Sequence, residues 1–421
     1  MRISTSAIYD AGIRAMQEQT EKLMQVQQQI SSGRRILTPA DDPVAAARML
    51  EVSQSQALNQ QYGTNSAAAG DGLALEESVL GSISGLLQDV REVVIQAGNA
   101  TLTKSDRAVL ASALRGRYQE LLGLANSTDG TGQYLFSGYQ GGIRPFSESA
   151  PGVVGYNGDQ GQRLIQVGPS RQIAVSDAGA DVFQRIPNGN GSFATQAAAT
   201  NGGAGVIDAG TIVDPVKWNA AGISADLTVK FSVSGGLTTY DVIDNAAGTS
   251  LLTGLAPAAA PYPRAYASGS DIDLSQAGPP AFDYGARLSI SGAPADGDNF
   301  SVKASTHQDV FKTIDDLVQL LQNSPGGAAL SNGLASAHRN LDNAMENVLT
   351  VRTSAGARLK ELDSVKSAGE DRMLQYSQTL SRLQDLDYAK SASELMQQQV
   401  NLEAAQKSFI KVAGLSLFDY L

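Results

Sequence analysis

Chemistry in a folded chain begins with side chains that bind metals, move protons or attack carbonyls, and here they are few. The 421 residues include two histidines, His307 and His338, and no cysteine. Each histidine stands without another His or Cys near it in sequence, and no H-E-x-x-H run occurs. Both therefore read as polar surface residues rather than zinc ligands. The lack of cysteine removes disulfides, thiolate metal sites and thiol nucleophiles together. Asp296-Gly-Asp-Asn299 has the look of a calcium run, but it lacks the third acidic position and the closing glutamate. A hairpin turn accounts for it better. The acidic pairs Asp41-Asp42, Glu76-Glu77 and Asp315-Asp316 join carboxylates that do not face each other on a helix. General acid–base work needs two carboxylates in one pocket with separated pKa values. These pairs are expected instead to cap helices or lie on solvated faces. No phosphate-cradling P-loop and no nucleophile elbow are present. The residues give no catalytic, cofactor-binding or metal site, and the expectation is a protein that is not an enzyme.

Composition narrows the partners. A net charge of −11 with no basic cluster longer than Arg34-Arg35 disfavours nucleic acid. No stretch reaches the roughly 18 uninterrupted apolar residues that a membrane span requires, so no membrane insertion is expected. Met1 to Met16 contains neither an apolar h-region nor a small-residue cleavage site, and it does not read as a secretory signal peptide. The chain then stays inside the cell or leaves by a route that reads an uncleaved N-terminus.

Residues without chemistry of their own point back to the elements that place them. From about Ile8 to Ile30 the chain is rich in helix formers, and Ile13, Met16, Leu23, Val26 and Ile30 make one narrow apolar stripe. Ser31-Ser32-Gly33 interrupts it. In the turn that follows, Asp41 or Asp42 can cap a new helix and Pro43 suits its first turn. That helix runs to about Ala97, with Leu73, Leu80, Ile83, Leu87, Val90 and Val94 as a heptad-like seam. Ser105 or Asp106 is expected to cap the next, whose stripe is Leu110, Leu114, Tyr118 and Leu121.

Around Gln133 the period changes from helical to extended. Gln133 to Gly138 reads as a strand. Leu227 to Val233 and Leu237 to Val242 read as a hairpin across Gly235-Gly236. Leu288 and Ile290 read as partners of Phe300 and Val302, and 195–210 and 245–280 as surface loops. Helix returns near Gln308, with a stripe of Val310, Ile314, Leu317 and Leu321. It persists to the end, where Leu395, Leu402, Phe409 and Val412 recur. The fold class is α+β: long paired N- and C-terminal helices forming a bundle or coiled coil, with an inserted all-β outer domain. The outermost stripes are too narrow to fill a private core and look built to pack against copies or related chains, the alternative being that they close an intramolecular coiled coil.

Three separated blocks carry a family resemblance. Ser31 to Ala47 (SSGRRILTPADDPVAAA), Gly132 to Gly138 (GQYLFSG) and Leu386 to Leu395 (LDYAKSASEL), together with the ending from Gln406 to Leu421, are similar to the flagellin superfamily in its hook-associated form. Arg35, Pro39, Asp41, Asp42, Pro43, Gly132, Phe136 and Gly138 are the motif positions. The likeness covers about 1–145 and 300–421. It implies a core formed by 1–43 with 385–421, a helical stalk from 44–145 and 305–384, and a β-rich outer domain at 146–304. It implies a structural subunit of the bacterial flagellum at the hook–filament junction, extracellular and exported by the flagellar type III apparatus without a cleaved signal. The implied partners are copies of itself in a ring, a neighbouring hook-associated protein, flagellin, and an export chaperone on the C-terminal helix. Ile13, Met16, Leu23, Val26, Ile30, Leu395, Leu402, Phe409, Val412, Leu415 and Phe418 are the expected assembly interface. The competing expectations are a filament flagellin and, further off, a secreted adhesin on a flagellin-like frame.

Overall fold

The computed structural model describes the backbone of residues 5–221, 225–257 and 261–414. Three helices open the chain: α1 (Thr5–Ser32), α2 (Pro43–Ala97) and α3 (Lys104–Ala125). Helix α1 stops where Gly33 takes a positive φ of 68°, a conformation that costs glycine nothing. Helix α2 starts at Pro43 because Asp42 Oδ1 accepts the Ala45 N–H at 3.0 Å. The cap of α3 lies earlier than expected. Thr103, not Ser105 or Asp106, is the N-cap; its hydroxyl accepts the Asp106 N–H while Asp106 accepts the Thr103 N–H at 2.9 Å. This is a reciprocal capping box, and Asp106 serves as its third-position partner.

Short strands and two small helices follow: β1 (Phe146–Ala150), β2 (Val153–Tyr156), β3 (Leu164–Gly168), β4 (Arg171–Ala174), α4 (Gly179–Phe183), β5 (Ile186–Pro187), β6 (Phe193–Ala197), β7 (Val206–Ile207), β8 (Thr211–Ile212) and α5 (Pro215–Ala221). Longer strands come next: β9 (Asp226–Ser234), β10 (Leu237–Asp244), β11 (Thr249–Ser250), β12 (Arg264–Ala265), β13 (Asp271–Gln276), β14 (Phe282–Ser291), β15 (Asn299–Ala304) and β16 (His307–Gln308). The chain closes with α6 (Val310–Asn323), α7 (Gly327–Gln384) and α8 (Tyr388–Gly414).

The hairpin across Gly235-Gly236 forms as β9 and β10, with Leu237 opposite Ser234. Both glycines take positive φ, as a tight connection between right-twisted strands demands. Other strand expectations need correction. Gln133–Gly138 is a run of turns with one isolated bridge, Thr128 to Tyr134. Leu135 and Phe136 are both buried, which the alternation of a strand forbids on one face. Strands β14 and β15 do not pair with each other. β14 pairs with β13, β7 and β8, whereas β15 lies between β9 and β6. The apolar residues flanking Gly292–Gly297 therefore come from two sheets that share a core. The stretches 195–210 and 245–280 contain β7, β11, β12 and β13 rather than loop alone.

The described residues divide into two compact units, one drawn from Met1–Ala67, Gln166–Arg171 and Asp363–Leu421, the other from Ala68–Ile165 and Gln172–Leu362. In the second unit two hydrophobic cores stand apart. The larger joins Leu80, Leu87 and Val94 of α2 to Leu114 and Leu121 of α3, Ile314 and Leu321 of α6, and Leu341 of α7. Four phenylalanines, Phe136, Phe146, Phe183 and Phe311, fill its end with ring centres 5.2–5.7 Å apart. The smaller core gathers Phe193, Trp218, Val229, Phe231, Val242, Leu288 and Phe300 between sheets.

The residues considered for chemistry fall into structural roles, with one exception. His307 is exposed, and His338 lies 3.5 Å from Asp342 at the surface. Asp298 is buried, and its carboxylate accepts the N–H groups of Gly202, Gly203 and Ala295. Asp42 caps, and Asp316 pairs with Lys312 at the surface. Glu76 is the exception to the solvated-face expectation: only 1% of it is exposed. Its position explains this, because it lies three residues after Leu73 and four before Leu80, inside the apolar seam.

Candidate assembly site

Helices α1 and α8 lie antiparallel in the first unit. At one end Tyr9 meets Phe409 edge-on with ring centres 5.6 Å apart. Gly12 makes that approach possible, since a Cβ there would sit 2.6 Å from the Phe409 ring. At the other end the Tyr388 hydroxyl packs over Gly33. The connecting turns lock together. The backbones of Arg34 and Asp385 form an isolated antiparallel β-bridge: the Arg35 N–H donates to Gln384 O at 2.8 Å, and the Leu386 N–H donates to Gly33 O at 3.1 Å. Arg35 also donates from Nη2 to Leu383 O at 3.0 Å.

The turn before α2 is held by Asp41. Its Oδ2 accepts the N–H groups of Leu37 and Thr38 at 3.0 and 2.8 Å, and its Oδ1 accepts from Gln25 on α1 at 3.1 Å. Those N–H donors hold the Asp41 carboxyl below the usual carboxylate range. Gln29 donates to Arg35 O at 2.7 Å, tying α1 to the same turn. Pro39 is exposed at its tip.

In the second unit the other motif positions build a rigid loop. Asp129 Oδ1 accepts from Thr131 N and Gln133 N on either side of Gly132, whose φ is 85°. Phe136 is fully buried in the phenylalanine cluster. Gly138, at φ 70°, is packed against Asp159, whose Oδ1 accepts the N–H groups of Tyr139 and Gly161.

The expected interface residues occupy different depths. Val26 is buried and Ile30 half-buried; Met16 and Leu23 are half-buried, as are Leu395, Leu402 and Phe409 on α8. Ile13 is 43% exposed. The Val412 side chain, Leu415 and Phe418 lie outside the described residues. A second apolar set lies off these stripes: Met24 on α1 and Met396, Val400 and Ile410 on α8, all exposed. Met396 and Val400, four apart, carry a helical signal of their own, offset from the stripe of Leu395 and Leu402.

An antiparallel pair of terminal helices, long internal helices and an inserted region of antiparallel sheets define a flagellin-like structural subunit. Residues 3–141 match the bacterial flagellin N-terminal helical region. Flagellar hook-associated protein 3 of Escherichia coli is 29% identical over 421 residues, covering 100% of this chain and 99% of that protein. Flagellin of Listeria monocytogenes is 25% identical over only 129 residues, 31% of this chain and 45% of the flagellin. The crystal structure of Xanthomonas campestris FlgL is 32% identical, with a TM-score of 0.67, covering 78% of this chain and 99% of that one. Flagellar hook-associated protein 3 from Legionella pneumophila gives a TM-score of 0.70 at 29% identity, over 79% of this chain and 98% of that one. The chain belongs to the family of flagellar hook-associated protein 3, FlgL, and is a structural component of the flagellum.

Proposed function

We propose that this chain is the adaptor at the junction between hook and filament, assembled in a ring through its terminal helix pair. The observation that carries the reading is the outward apolar face of that pair. Ile13, Met24, Met396, Val400 and Ile410 remain exposed after α1 and α8 have packed, Met396 by 66% and Ile410 by 69%. Neighbouring subunits would cover these apolar residues. Each large side chain fully buried contributes about 1.5–3 kcal/mol. The face thus gives assembly a driving force that the single chain leaves unused.

On this reading Ile13, Met16, Leu23, Val26 and Ile30 pack with Leu395, Leu402, Phe409, Val412, Leu415 and Phe418 in the wall of the tube. The neighbours are a hook-associated protein on one side and flagellin on the other. The chain leaves the cell through the flagellar export apparatus with its N-terminus uncleaved, and a chaperone guards α8 beforehand. Residues 146–304 form an outer β domain, and no catalysis is assigned. The filament-flagellin alternative is set aside because the likeness to the Listeria flagellin stops at a third of the chain, whereas that to hook-associated protein 3 spans it all.

Deleting the gene and inspecting cells by electron microscopy tests the reading. Hooks without filaments, with flagellin shed into the medium, are expected; intact filaments overturn it. A Phe409→Ala, Phe418→Ala double variant separates the helices' role from the rest. It should be made and folded yet fail to restore filaments, and normal incorporation would sink the packing role.

A further inference from the structure

We propose that Glu76 and the Asp177–Arg358 ion pair form a proton-operated latch, in which a proton on Glu76 keeps the segment 175–178 seated on α2 and α7 and its loss loosens that seat. Four elements of the second unit converge here. Glu76 comes from α2, Arg358 from α7, Asp177 from the segment after β4, and Arg163 from the approach to β3.

The Asp177 N–H donates to Glu76 Oε1 at 2.9 Å. The Asp177 carboxylate is itself buried. It receives both Nη groups of Arg358, at 3.0 and 2.8 Å, and the Gln162 amide at 2.7 Å. Arg358 Nη2 also donates to Ser354 at 3.1 Å. Its guanidinium is therefore committed, and two buried carboxylates share one close cation. Arg163 faces the cluster less directly, because its Nη1 donates to Gln133 at 2.5 Å. Glu77, the next residue on α2, is bound to Arg352 and neutralised there.

Glu76 Oε2 is left buried with no partner. A neutral carboxyl tolerates one unmade hydrogen bond; a carboxylate in the same place is a buried charge with a single N–H to stabilise it. Burial, with the charge of Asp177 adding to it, pushes Glu76 up to about 7 from an ordinary 4.5. The folded state then keeps a proton that the unfolded chain has lost between those two values. Stability attributable to Glu76 is full below pH 4.5, falls as pH rises toward 7, and changes no further above it. Across that window the unfolding constant rises roughly 300-fold from this group alone. Ionisation strengthens the Asp177 N–H bond itself, but the burial of the new charge and its repulsion from the Asp177 carboxylate outweigh that gain, and lifting the segment away relieves both.

The test is urea unfolding of the purified full chain between pH 5 and 8, wild type against Glu76→Gln. The other carboxylates cancel in the ratio of unfolding constants. That ratio, wild type over variant, should climb about a hundredfold from pH 5 to 8 and flatten above 7. A ratio independent of pH overturns the proposal. Amide exchange locates the effect. Corrected for intrinsic rate, protection of the Asp177 N–H should fall between pH 6 and 8 in the wild type and hold in Glu76→Gln. An equal fall in the variant, or none in the wild type, overturns the latch.

Discussion

At Gly138 a single missing side chain decides a loop. Its φ of 70° is one that residues with a Cβ seldom adopt, and a Cβ there would run into the Asp159 carboxylate and carbonyl. The Asp159 carbonyl lies 2.7 Å from the Tyr156 hydroxyl, whose single hydrogen it shares with Phe136 O at 3.0 Å. Strain at Gly138 therefore reaches the buried Phe136. Gly138→Ala is expected to destabilise the chain by about 1–3 kcal/mol from backbone conformation alone, with the clash adding to it. A urea midpoint unchanged from wild type would show that the loop yields without resistance. The motif made Gly132 and Gly138 visible in the sequence. Asp159 was not, because its role depends on a backbone path that nothing local to it encodes. Glu76 failed differently. Its place between Leu73 and Leu80 was legible, but Glu77 beside it gives the pair the composition of a solvated face.

Helices were legible where one period ruled for several turns, and strands where alternation met a double glycine. The α2 seam, the α3 stripe and the β9–β10 hairpin all follow from such runs. Gln133–Gly138 was misread because a short apolar cluster fits a strand and a buried turn equally well. The partnership of β14 with β13 was hidden because a loop between two strands does not oblige them to pair. The same contrast separates the two sets of apolar helix residues by energy. Leu87 is 1% exposed in the seam, whereas Leu395 on α8 is only half-buried. Leu87→Ala should cost about 2–5 kcal/mol in the purified chain, through lost transfer energy and the cavity left behind. Leu395→Ala should cost well under half of that. Equal losses in denaturant titrations of the two variants would mean that α8 is as fully packed in the lone chain as α2.

Across the whole molecule, stability and assembly draw on different residues. The buried cores hold each chain's fold, while the outward face of α1 and α8 leaves apolar surface to a neighbour. A narrow stripe flanked by further exposed apolar positions is what a helix pair needs to satisfy a partner on one face and a neighbouring subunit on another. Val400 gives a clean test, being 64% exposed on that outward face. A carboxylate there meets water in the free chain but would be buried without a partner in a packed ring, at a penalty of several kcal/mol. Val400→Asp should leave circular dichroism and the denaturant midpoint of the purified protein near wild type. In cells lacking the native gene it should restore neither filaments nor swimming, although the variant is exported into the medium. Filaments of normal number on those cells would place the subunit contact on some other face. Loss of the purified protein's fold would move Val400 into the chain's own core.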